Sequence, residues 1–574
     1  MDMTLLKEGA IVMVIGMGTV FFFLAIMIGA MNINEKVLKF IGKYFPEEIP
    51  EVRPVKKKFE SSDDEIALAI ACASLFALKK ASIVKGICYI LCIAVFSMSV
   101  INLVGISKNL KQIANTEGSE LESGAPEIPL SSDGKNVVVL MLDRAVSVYF
   151  PYLLSEKPEL KEQFAGFTYY PNTLTMGSNT IIGVPGVFGG YEYTPDEVNK
   201  RDDISLLEKH NEALKLMPTI FADEGYDVTV GNPTYANYLY NADISIYDDM
   251  ENVKVFKTKG KVATGLDDID RLISDETQYS QFRNFFTYSL FKISPLAFQN
   301  HIYAYGNYNS SRVMNGSIST QVTEGISKAQ GLTESYLDNY AVMVNLEELT
   351  NIRKTDNNSF FMMCNELTHS PIMLQTPDYT PALQVDNTEY DKDHLVKNSD
   401  FGDSPIALST TSQVIHYHIN MEAFLLLGEW FDFLRENNVY DNTRIILVAD
   451  HGFHLGHEEQ KFGYGEWDDI ARYNPILLVK DFDSSEFSID TQFMTNADVP
   501  TLALEGLVEN PINPFTGEQI NDSLKHETEE FSVYRTDRIQ PDQNTGNVFE
   551  FSQEIIITKN DDILNPVYWR NATE

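Results

Sequence analysis

The amino-acid sequence, 574 residues long, predicts an α/β fold in which two transmembrane helices precede a mostly parallel sheet flanked by helices. Two kinds of segment support this prediction. Five short runs are continuously apolar and rich in β-branched residues, a pattern typical of strands covered on both faces. Two longer stretches near the N-terminus lack charged residues and are long enough to cross a bilayer. The sequence therefore predicts an α/β domain attached to a membrane anchor.

The two uncharged stretches cover residues 9–31 and 86–106. At ~1.5 Å per residue, each can cross the ~30 Å hydrocarbon layer. The loop between them contains seven Lys or Arg residues from Lys36 to Lys58, and the positive-inside rule places such a loop in the cytoplasm. We therefore expect a multi-pass protein of the cell membrane whose chain after residue 106 is extracytoplasmic.

The domain organisation follows from these spans and from local composition. Residues 1–83 are assigned to a membrane anchor with one span, a cytoplasmic loop and a short helix, and residues 84–106 to the second transmembrane helix. Residues 107–135, rich in Gly, Ser, Pro and Glu, are assigned to a flexible stalk. The main extracytoplasmic domain is expected at 136–506, followed by its C-terminal subdomain at 507–574.

The overall composition excludes two classes of protein. Asp and Glu number 82 against 44 Lys and Arg, which gives a net charge of -38 and argues against nucleic acid as a partner. Four cysteines, three of them in the apolar N-terminal part, do not form the framework of a disulfide-stapled secreted fold.

The five apolar runs define the predicted sheet, and a helical stretch at 421–439 precedes the fourth of them. The runs are NVVVLML at 136–142, YDVTVG at 226–231, SFFMMCN at 359–365, TRIILVAD at 443–450 and NPILLV at 474–479. Active sites of parallel sheets lie at the carboxyl ends of the strands. The polar residues at those ends are Asp143, Asn365 to His369, Asp450 and His451.

Asp143, Asp450 and His451 are candidate ligands of a divalent cation, since carboxylate oxygens and imidazole nitrogens bind such ions. Each also has a structural interpretation, because an Asp after a buried strand often caps the next helix and Asp-His pairs occur in ordinary loops. His369 has the same alternative as a loop histidine. Their occurrence in one chain, each after an apolar strand, favours a site.

The segment MGSNTIIGVPGVF at 176–188 contains Thr180, which is either a structural hydroxyl or a nucleophile. The residues after Thr180 are predicted to begin a helix, whose N-terminal amides would favour an anion. Pro185 falls in its first turns, where a missing N–H costs little. HYHIN at 416–420 is predicted to open a helix, and its histidines are assigned solvated or capping roles, with a place beside the site as the alternative. Lys461 is assigned a solvated role, with contact to an anionic substrate as the alternative.

These motifs together resemble the alkaline-phosphatase/sulfatase superfamily, and specifically its membrane-anchored phosphotransferases such as lipoteichoic acid synthases and lipid A phosphoethanolamine transferases. The resemblance covers residues 136–506 and rests on VVVLMLD, SNTIIGVPGVF, NELTHSP and VADHG. It implies that Thr180 is the nucleophile and that His369 is a second catalytic residue, which binds or protonates the oxygens of the substrate phosphate. It also implies one divalent metal ion, Zn²⁺ or Mn²⁺, held by Asp143, Thr180, Asp450 and His451.

The sequence departs from the superfamily pattern in two places. No C/S-x-P-x-R signature surrounds Thr180, which points from sulfate towards phosphate as the substrate group. A histidine expected just before the late strand is replaced by Arg472, Tyr473 and Asn474. We therefore expect the remaining substrate contacts from His454, His457 and Tyr473.

Residues 1–83 resemble the gamma subunit of sodium-pumping decarboxylases such as oxaloacetate decarboxylase. The resemblance rests on LLKEGAIVMVIGMGTVFFFLAIMIGAM, on KYFPEE and on DDEIALAIACA. It implies a membrane anchor with decarboxylase subunits as partners. No biotinylation motif or carboxyltransferase follows in the chain, so a pump would need separate subunits.

The sequence thus predicts a membrane-anchored, extracytoplasmic, metal-dependent phosphotransferase. It would move a phosphoalcohol group, such as glycerol phosphate, from a phospholipid donor to a cell-surface glycan or lipid through a phospho-threonine intermediate. One alternative is a sulfatase-like phosphodiesterase or sulfuric ester hydrolase. A second is a non-catalytic membrane subunit of a sodium-pumping decarboxylase complex.

Overall fold

A computed structural model describes residues 125–572 with internal gaps, together with residues 89, 93 and 97. The gaps are 267–268, 271–282, 285, 293, 295–298, 300, 303–318, 324–325, 400, 402–403, 464 and 466–467. The predicted anchor, both transmembrane helices and most of the stalk lie outside the described residues, apart from the three isolated positions. No helix within the described ranges is long and apolar enough to cross a bilayer.

The chain divides into two compact units. The first comprises Met1–Glu120 and Asp275–Ser310, and among its described residues 286–292 are helical. The second comprises Leu121–Ser274 and Ser311–Glu574 and contains the sheets.

Strands and helices alternate along most of the second unit. The strands are β1 (Ile128–Ser131), β2 (Asn136–Leu142), β3 (Phe167–Tyr169), β4 (Thr173–Leu174), β5 (Asp227–Gly231), β6 (Val253–Phe256), β7 (Ser319–Thr323), β8 (Ile326–Gln330), β9 (Thr350–Arg353), β10 (Ser359–Asn365), β11 (Gln384–Asp386), β12 (Val396–Lys397), β13 (Ile406–Ala407), β14 (Thr443–Val448), β15 (Leu477–Lys480), β16 (Ser488–Ile489), β17 (Met494–Thr495), β18 (Glu530–Arg535), β19 (Gln553–Thr558) and β20 (Trp569–Asn571). The α-helices are α1 (Phe150–Glu156), α2 (Glu159–Gln163), α3 (Thr180–Gly189), α4 (Pro195–Lys200), α5 (Leu206–Asp223), α6 (Glu334–Val344), α7 (Leu346–Leu349), α8 (Thr388–His394), α9 (Thr411–Glu436), α10 (Val499–Leu504) and α11 (Ser523–Glu527).

The central sheet has eight strands in the order β16-β3-β15-β14-β2-β10-β5-β6. The five strands from β14 to β6 are parallel to one another, which confirms the predicted mostly parallel sheet. β15 differs from the expectation because it runs antiparallel to β14 and β3. An antiparallel neighbour needs no crossover helix, and the chain returns from β14 to β15 through short turns rather than an α-helix.

The apolar strands are buried on both faces, as their composition predicts. In β2, Val138, Leu140 and Leu142 belong to one core, and the alternating residues Val137 and Val139 belong to the other. Helices α1, α2, α6 and α9 cover the first face, and α3, α5 and α10 cover the second. A third core lies around the small sheet β18-β19-β20.

Three local expectations are wrong. Residues 128–131, assigned to the flexible stalk, form the buried strand β1, which pairs with β9. Helix α9 begins at Thr411, before the HYHIN segment that was expected to open it, and the histidines of that segment are buried rather than solvated. Pro185 is the sixth residue of α3, beyond the first turn, where the missing N–H removes an interior helix bond.

Asn136, fully buried at the start of β2, connects the first residues of three adjacent parallel strands. Its side-chain Oδ1 accepts a hydrogen bond from Ser359 Oγ of β10 at 2.7 Å, and its Nδ2 donates to Thr443 Oγ1 of β14 at 3.1 Å. The same amide also exchanges hydrogen bonds with the backbone of Ser131. This one side chain therefore ties β2, β10 and β14 together in a single register.

Replacing Asn136 with Ala is expected to lower the free energy of unfolding by about 3 kcal/mol, because at least two buried polar groups lose their partner at ~1–3 kcal/mol each. Denaturant titration of the purified protein measures this loss. Asn437→Ala, at the exposed end of α9, is the matched control and should cost much less. An equal effect of the two substitutions would contradict the role assigned to Asn136.

Candidate active site

The strand register places two acidic residues side by side at the carboxyl edge of the sheet. Met141 of β2 pairs with Val448 of β14, so Asp143 and Asp450, each two residues further on, reach the same level. The carboxylates of Asp143 and Asp450 and the imidazole of His451 offer ligand atoms that all lie within 4.8 Å of one another. The structure thus brings together the three predicted strand-end ligands.

Thr180 is the first residue of α3 and lies against this cluster. Its Oγ1 is 3.5 Å from Asp143 Oδ2 and 3.5 Å from His451 Nε2. The helix approaches closely because Gly183 has no side chain, since a Cβ there would lie 2.9 Å from the carbonyl oxygen of Asp450. No described side chain caps the N-terminus of α3, and a helix N-terminus favours a negative group beside its first residue, which here is Thr180.

The free atoms of the cluster fit a divalent cation. Asp450 Oδ1 accepts hydrogen bonds from the backbone N–H groups of Arg144 at 3.2 Å and His451 at 2.9 Å. Asp450 Oδ2 and Asp143 Oδ1 are buried and have no hydrogen-bond partner among the described residues. His451 Nδ1 lies 2.7 Å from the carbonyl oxygen of Gly452. A carbonyl only accepts, so this contact fixes the proton on Nδ1 and leaves the Nε2 lone pair facing the carboxylates.

The electrostatics of the cluster support the same conclusion. Burial raises the pKa of Asp143 well above its usual value, and the nearby carboxylates of Asp450 and Glu366 raise it further. Burial also raises the pKa of Asp450, and it lowers the pKa of His451 well below the usual value. A cation between the two carboxylates would offset their mutual repulsion, and neutral imidazole is the metal-binding form.

His369 lies on the Arg144 side of the cluster. Its Nε2 is 2.8 Å from the Arg144 guanidinium Nη2, and because a guanidinium only donates, Nε2 accepts and the proton is on Nδ1. Burial, with the charge of Arg144 and the neighbouring His451, lowers the pKa of His369 to about 3. His369 is therefore a neutral hydrogen-bonding group rather than a charged acid at neutral pH.

Sequence reasoning missed two arginines near the cluster. Arg144, at a left-handed φ of 66°, and Arg472 both face the ring of Phe453, at 5.0 and 5.7 Å from its centroid. Arg472 donates to His454 Nδ1 at 2.7 Å and to the carbonyl oxygen of Ser178 at 3.2 Å. A left-handed non-glycine residue is rare and is often found at functional sites, but no sequence pattern predicts this conformation at Arg144.

The remaining predicted positions have varied surroundings. His416 is buried and stacks on Phe453 with 4.0 Å between ring centroids, so its solvated interpretation is wrong. His457 instead contacts Tyr149 and Gln413, with atom separations of 3.3 and 3.4 Å. The structure does not bring two further residues to the cluster: the ring of Tyr473 is fully buried in the third core, and Lys461 pairs with a neighbouring glutamate.

The C-terminal sheet holds the segment that carries Thr180. The backbone N–H of Ser178 donates to the Tyr534 carbonyl at 3.0 Å, and the Tyr534 N–H donates to the Met176 carbonyl at 2.9 Å. The Asn179 side chain donates to the carbonyl of Thr536 at 3.3 Å. Residues 507–574 carry no catalytic motif, so sequence reasoning could not find this contribution.

Comparisons with known proteins agree with the architecture. Residues 135–505 match the model of the Sulfatase family, and residues 7–74 match that of the oxaloacetate decarboxylase gamma chain. No curated protein gives a significant match. Similar solved structures include the lipoteichoic acid synthase LtaP from Listeria monocytogenes, at 12% identity over 70% of this chain and 78% of that one, with a TM-score of 0.34.

Two further similar structures are a transferase and a hydrolase. The lipooligosaccharide phosphoethanolamine transferase EptA from Neisseria meningitidis is 12% identical over 78% of this chain and 71% of that one, with a TM-score of 0.32. The phosphonate monoester hydrolase of Agrobacterium radiobacter is 13% identical over 74% of this chain and 86% of that one, with a TM-score of 0.37.

The predicted superfamily resemblance and the gamma-chain resemblance are confirmed by the two family matches. Because the sulfatase match spans most of the chain and includes the whole Asp143, Thr180 and Asp450–His451 cluster, this protein belongs to the sulfatase family of enzymes.

Proposed function

We propose that this protein is a metal-dependent phosphotransferase that uses Thr180 as its nucleophile. The observation that carries the proposal is the position of Thr180 Oγ1, 3.5 Å from atoms of both Asp143 and His451 and at the start of a helix. Threonine cannot form the formylglycine that the C/S-x-P-x-R signature of sulfatases provides. The absence of that signature around Thr180 therefore favours phosphate esters.

Asp143, Thr180, Asp450 and His451 would hold one divalent cation, with Zn²⁺ and Mn²⁺ both suited to this set of ligands. When bound, such an ion lowers the pKa of a coordinated hydroxyl and draws off the charge that develops on a phosphoryl group. The buried, unpartnered oxygens of Asp143 and Asp450 support this assignment.

The proposed reaction proceeds in two steps at Thr180. Thr180 Oγ loses its proton and forms a bond to phosphorus, while the bond from phosphorus to the donor's alcohol oxygen breaks and that alcohol takes up a proton. Thr180 thereby carries the phosphoalcohol group. In the second step the acceptor's hydroxyl oxygen loses its proton and forms a bond to phosphorus, while the bond from phosphorus to Thr180 Oγ breaks and Thr180 regains its proton. The first amides of α3, the guanidinium of Arg144 and the Nδ1–H of His369 are placed to bind phosphoryl oxygens.

The donor is proposed to be a phospholipid and the acceptor a cell-surface glycan or lipid. The two predicted transmembrane helices and the anchor-like match of residues 7–74 support an active site tethered beside a membrane. The enzyme would be a multi-pass protein of the cell membrane with its catalytic domain outside. If water is the acceptor instead, the same site is a phosphodiesterase.

The match of residues 7–74 to the decarboxylase gamma chain favours a second role for that segment. We propose that it associates with decarboxylase subunits in the membrane. Affinity purification of the full chain from membranes should recover biotinylated decarboxylase subunits, whereas their absence would leave the segment as an anchor alone.

Thr180→Ala is expected to reduce turnover of a phosphodiester such as bis(p-nitrophenyl) phosphate by about 10³-fold or more, because the nucleophilic oxygen is lost. Initial rates and circular dichroism should show lost activity in a folded protein. Thr168→Ala, on β3, where the hydroxyl contacts only the Ser488 hydroxyl of β16 among the described residues, is the matched control. Mass spectrometry should also detect a phosphoalcohol adduct on Thr180 that persists until an acceptor is added; unchanged activity of Thr180→Ala would refute the nucleophile.

Asp450→Asn is expected to weaken metal binding by at least about 100-fold, because an amide replaces an anionic ligand. Elemental analysis after gel filtration should find one equivalent of metal in the wild type and little in the variant. Chelation should lower the melting temperature of the wild type but not of Asp450→Asn. Asp441→Asn, at an exposed position, serves as the control; equal metal content in both variants would rule out the assigned site.

Arg144→Gln is expected to lower kcat/KM by about 10²-fold while metal content is retained, because a phosphoryl-binding charge is removed without touching a metal ligand. Arg353→Gln, which removes a half-exposed ion pair with Glu127, is the control. Loss of metal in Arg144→Gln would instead indicate that Arg144 supports the cluster structurally.

A further inference from the structure

The segment between β6 and β7 differs in composition from the rest of the chain. Residues 277–323 contain no Asp or Glu, although 82 of the 574 residues are acidic and a stretch of this length would on average hold about seven. Residues 279–308 contain ten Phe or Tyr, a third of the stretch, whereas aromatic residues make up 11% of the whole chain. A water-facing loop of an acidic protein is expected to share its charge, so this composition indicates a different kind of surface.

Part of this segment forms a short helix. The described residues 283–284 and 286–292 are helical. A helix of this size is about 15 Å long at ~1.5 Å per residue, half the ~30 Å thickness of the hydrocarbon layer. It cannot span a bilayer, so any contact with a membrane would place it along the membrane surface.

One face of this helix is apolar. Phe286, which is 44% exposed, and Leu290 are four residues apart and therefore lie on the same face. The sequence predicts that this face extends over the neighbouring turns, because apolar residues spaced three or four apart recur at Phe282, Phe285, Phe286, Leu290 and Ile293. These five residues are called the apolar stripe below. An exposed aromatic ring on such a stripe indicates a surface that meets another apolar medium.

Basic residues border the apolar stripe. With about 3.6 residues per turn, Arg283 and Lys292 fall at its two opposite edges. Tyr288, which is 48% exposed, precedes Lys292 by about one turn and lies on the same side of the helix. Aromatic and basic side chains beside an apolar face are typical of helices at the boundary between acyl chains and lipid head groups.

The C-terminal end of the helix has hydrogen-bond partners from its own chain. Gln299 Nε2 donates to the carbonyl oxygens of Phe291 and Ser294, both at 3.1 Å, and the Ser294 N–H donates to the carbonyl oxygen of Leu290 at 3.0 Å. The last carbonyls of a helix have no partner within it, and they are costly to leave unsatisfied beside hydrocarbon. Gln299 therefore supplies what water provides at an ordinary surface.

The helix belongs to the same compact unit as the predicted anchor. Asp275–Ser310 is grouped with Met1–Glu120, whereas the chain on either side of it belongs to the unit that contains the sheets. Met1–Glu120 includes both predicted transmembrane helices. The segment that is rich in aromatic residues and free of acidic ones is thus the part of the later chain that is grouped with the anchor.

We propose that the helix at 283–292 lies in the surface of a phospholipid bilayer, with the apolar stripe among the acyl chains and Arg283 and Lys292 at the head groups. The partner is an anionic lipid surface, because the segment is cationic in a chain whose net charge is -38. This contact attaches the catalytic chain to the membrane at an internal point, in addition to the predicted spans. It extends the proposed membrane location and does not depend on the reaction at Thr180.

Photocrosslinking tests this contact. Benzoylphenylalanine replaces Phe286 in the full chain, which is reconstituted in bilayers of phosphatidylcholine with or without phosphatidylglycerol and illuminated, and mass spectrometry measures the lipid adducts. The yield should be about tenfold or more above that of the same replacement at Phe515, a 37% exposed phenylalanine of the second unit, because only a stripe residue contacts acyl chains. Phe22, in the first predicted span, is the positive control.

The charge at the edges of the stripe has its own readout. Phosphatidylglycerol should raise the adduct yield at Phe286 by about twofold or more, because basic residues are attracted to an anionic surface. Arg283→Gln/Lys292→Gln should remove this gain. The control Lys328→Gln/Lys392→Gln removes two exposed lysines of the second unit, with the same change in net charge, and should retain it.

Each outcome decides one way. Lipid adducts at Phe286 and Phe22 but not at Phe515, with a phosphatidylglycerol gain that only Arg283→Gln/Lys292→Gln removes, support the contact. Equal yields at Phe286 and Phe515, or adducts at Phe22 alone, overturn it and leave the predicted spans as the anchor. Crosslinks from Phe286 to protein without lipid overturn it in favour of a protein interface. Absence of lipid adducts at all three positions would refute the proposed membrane location as well.

Discussion

The register of three adjacent parallel strands is the constraint on which the rest of the structure depends. Asn136 bonds to the first residues of β10 and β14, and the three strands then run in step to the opposite edge of the sheet. In a buried sheet a slip of one residue would turn every side chain to the wrong face. It would also separate Asp143 from Asp450, so a polar contact at one edge determines the geometry of the site at the other.

The candidate site buries like charges close together, where the carboxylates of Asp143 and Asp450 repel one another. Two carboxylates are buried together, which is costly in a protein interior, and Arg144 lies close by with its backbone in a left-handed conformation. The surrounding histidines stay neutral because burial lowers their pKa values, as His369 and His451 show. The arrangement therefore places two carboxylates, neutral imidazoles and one guanidinium close together in a buried site.

The sequence predicted the site residues that directly follow strands. It could not predict the residues whose positions depend on the conformation of loops. Asp143 and Asp450 follow apolar runs directly, so local pattern and fold class were sufficient to place them at one edge of the sheet, whereas Thr180 was assigned to the site only through the family resemblance. Arg144 reaches its position through an unusual backbone angle, and His416 through its place on the buried face of a long helix. Neither feature has a local sequence signal. The antiparallel direction of β15 depends on how the chain returns from β14, which composition does not reveal.

The hydrogen bonds between the Thr180 segment and β18 have a consequence for the order of synthesis. Ribosomes produce the chain from its N-terminus, so Met176 and Ser178 are made more than 350 residues before Tyr534, to which both are bonded. The segment that carries Thr180 therefore lacks these backbone hydrogen bonds until the chain has been translated past Tyr534. A nascent chain that ends before β18 would contain Asp143, Thr180, Asp450 and His451 but not the strand that holds the Thr180 segment in place.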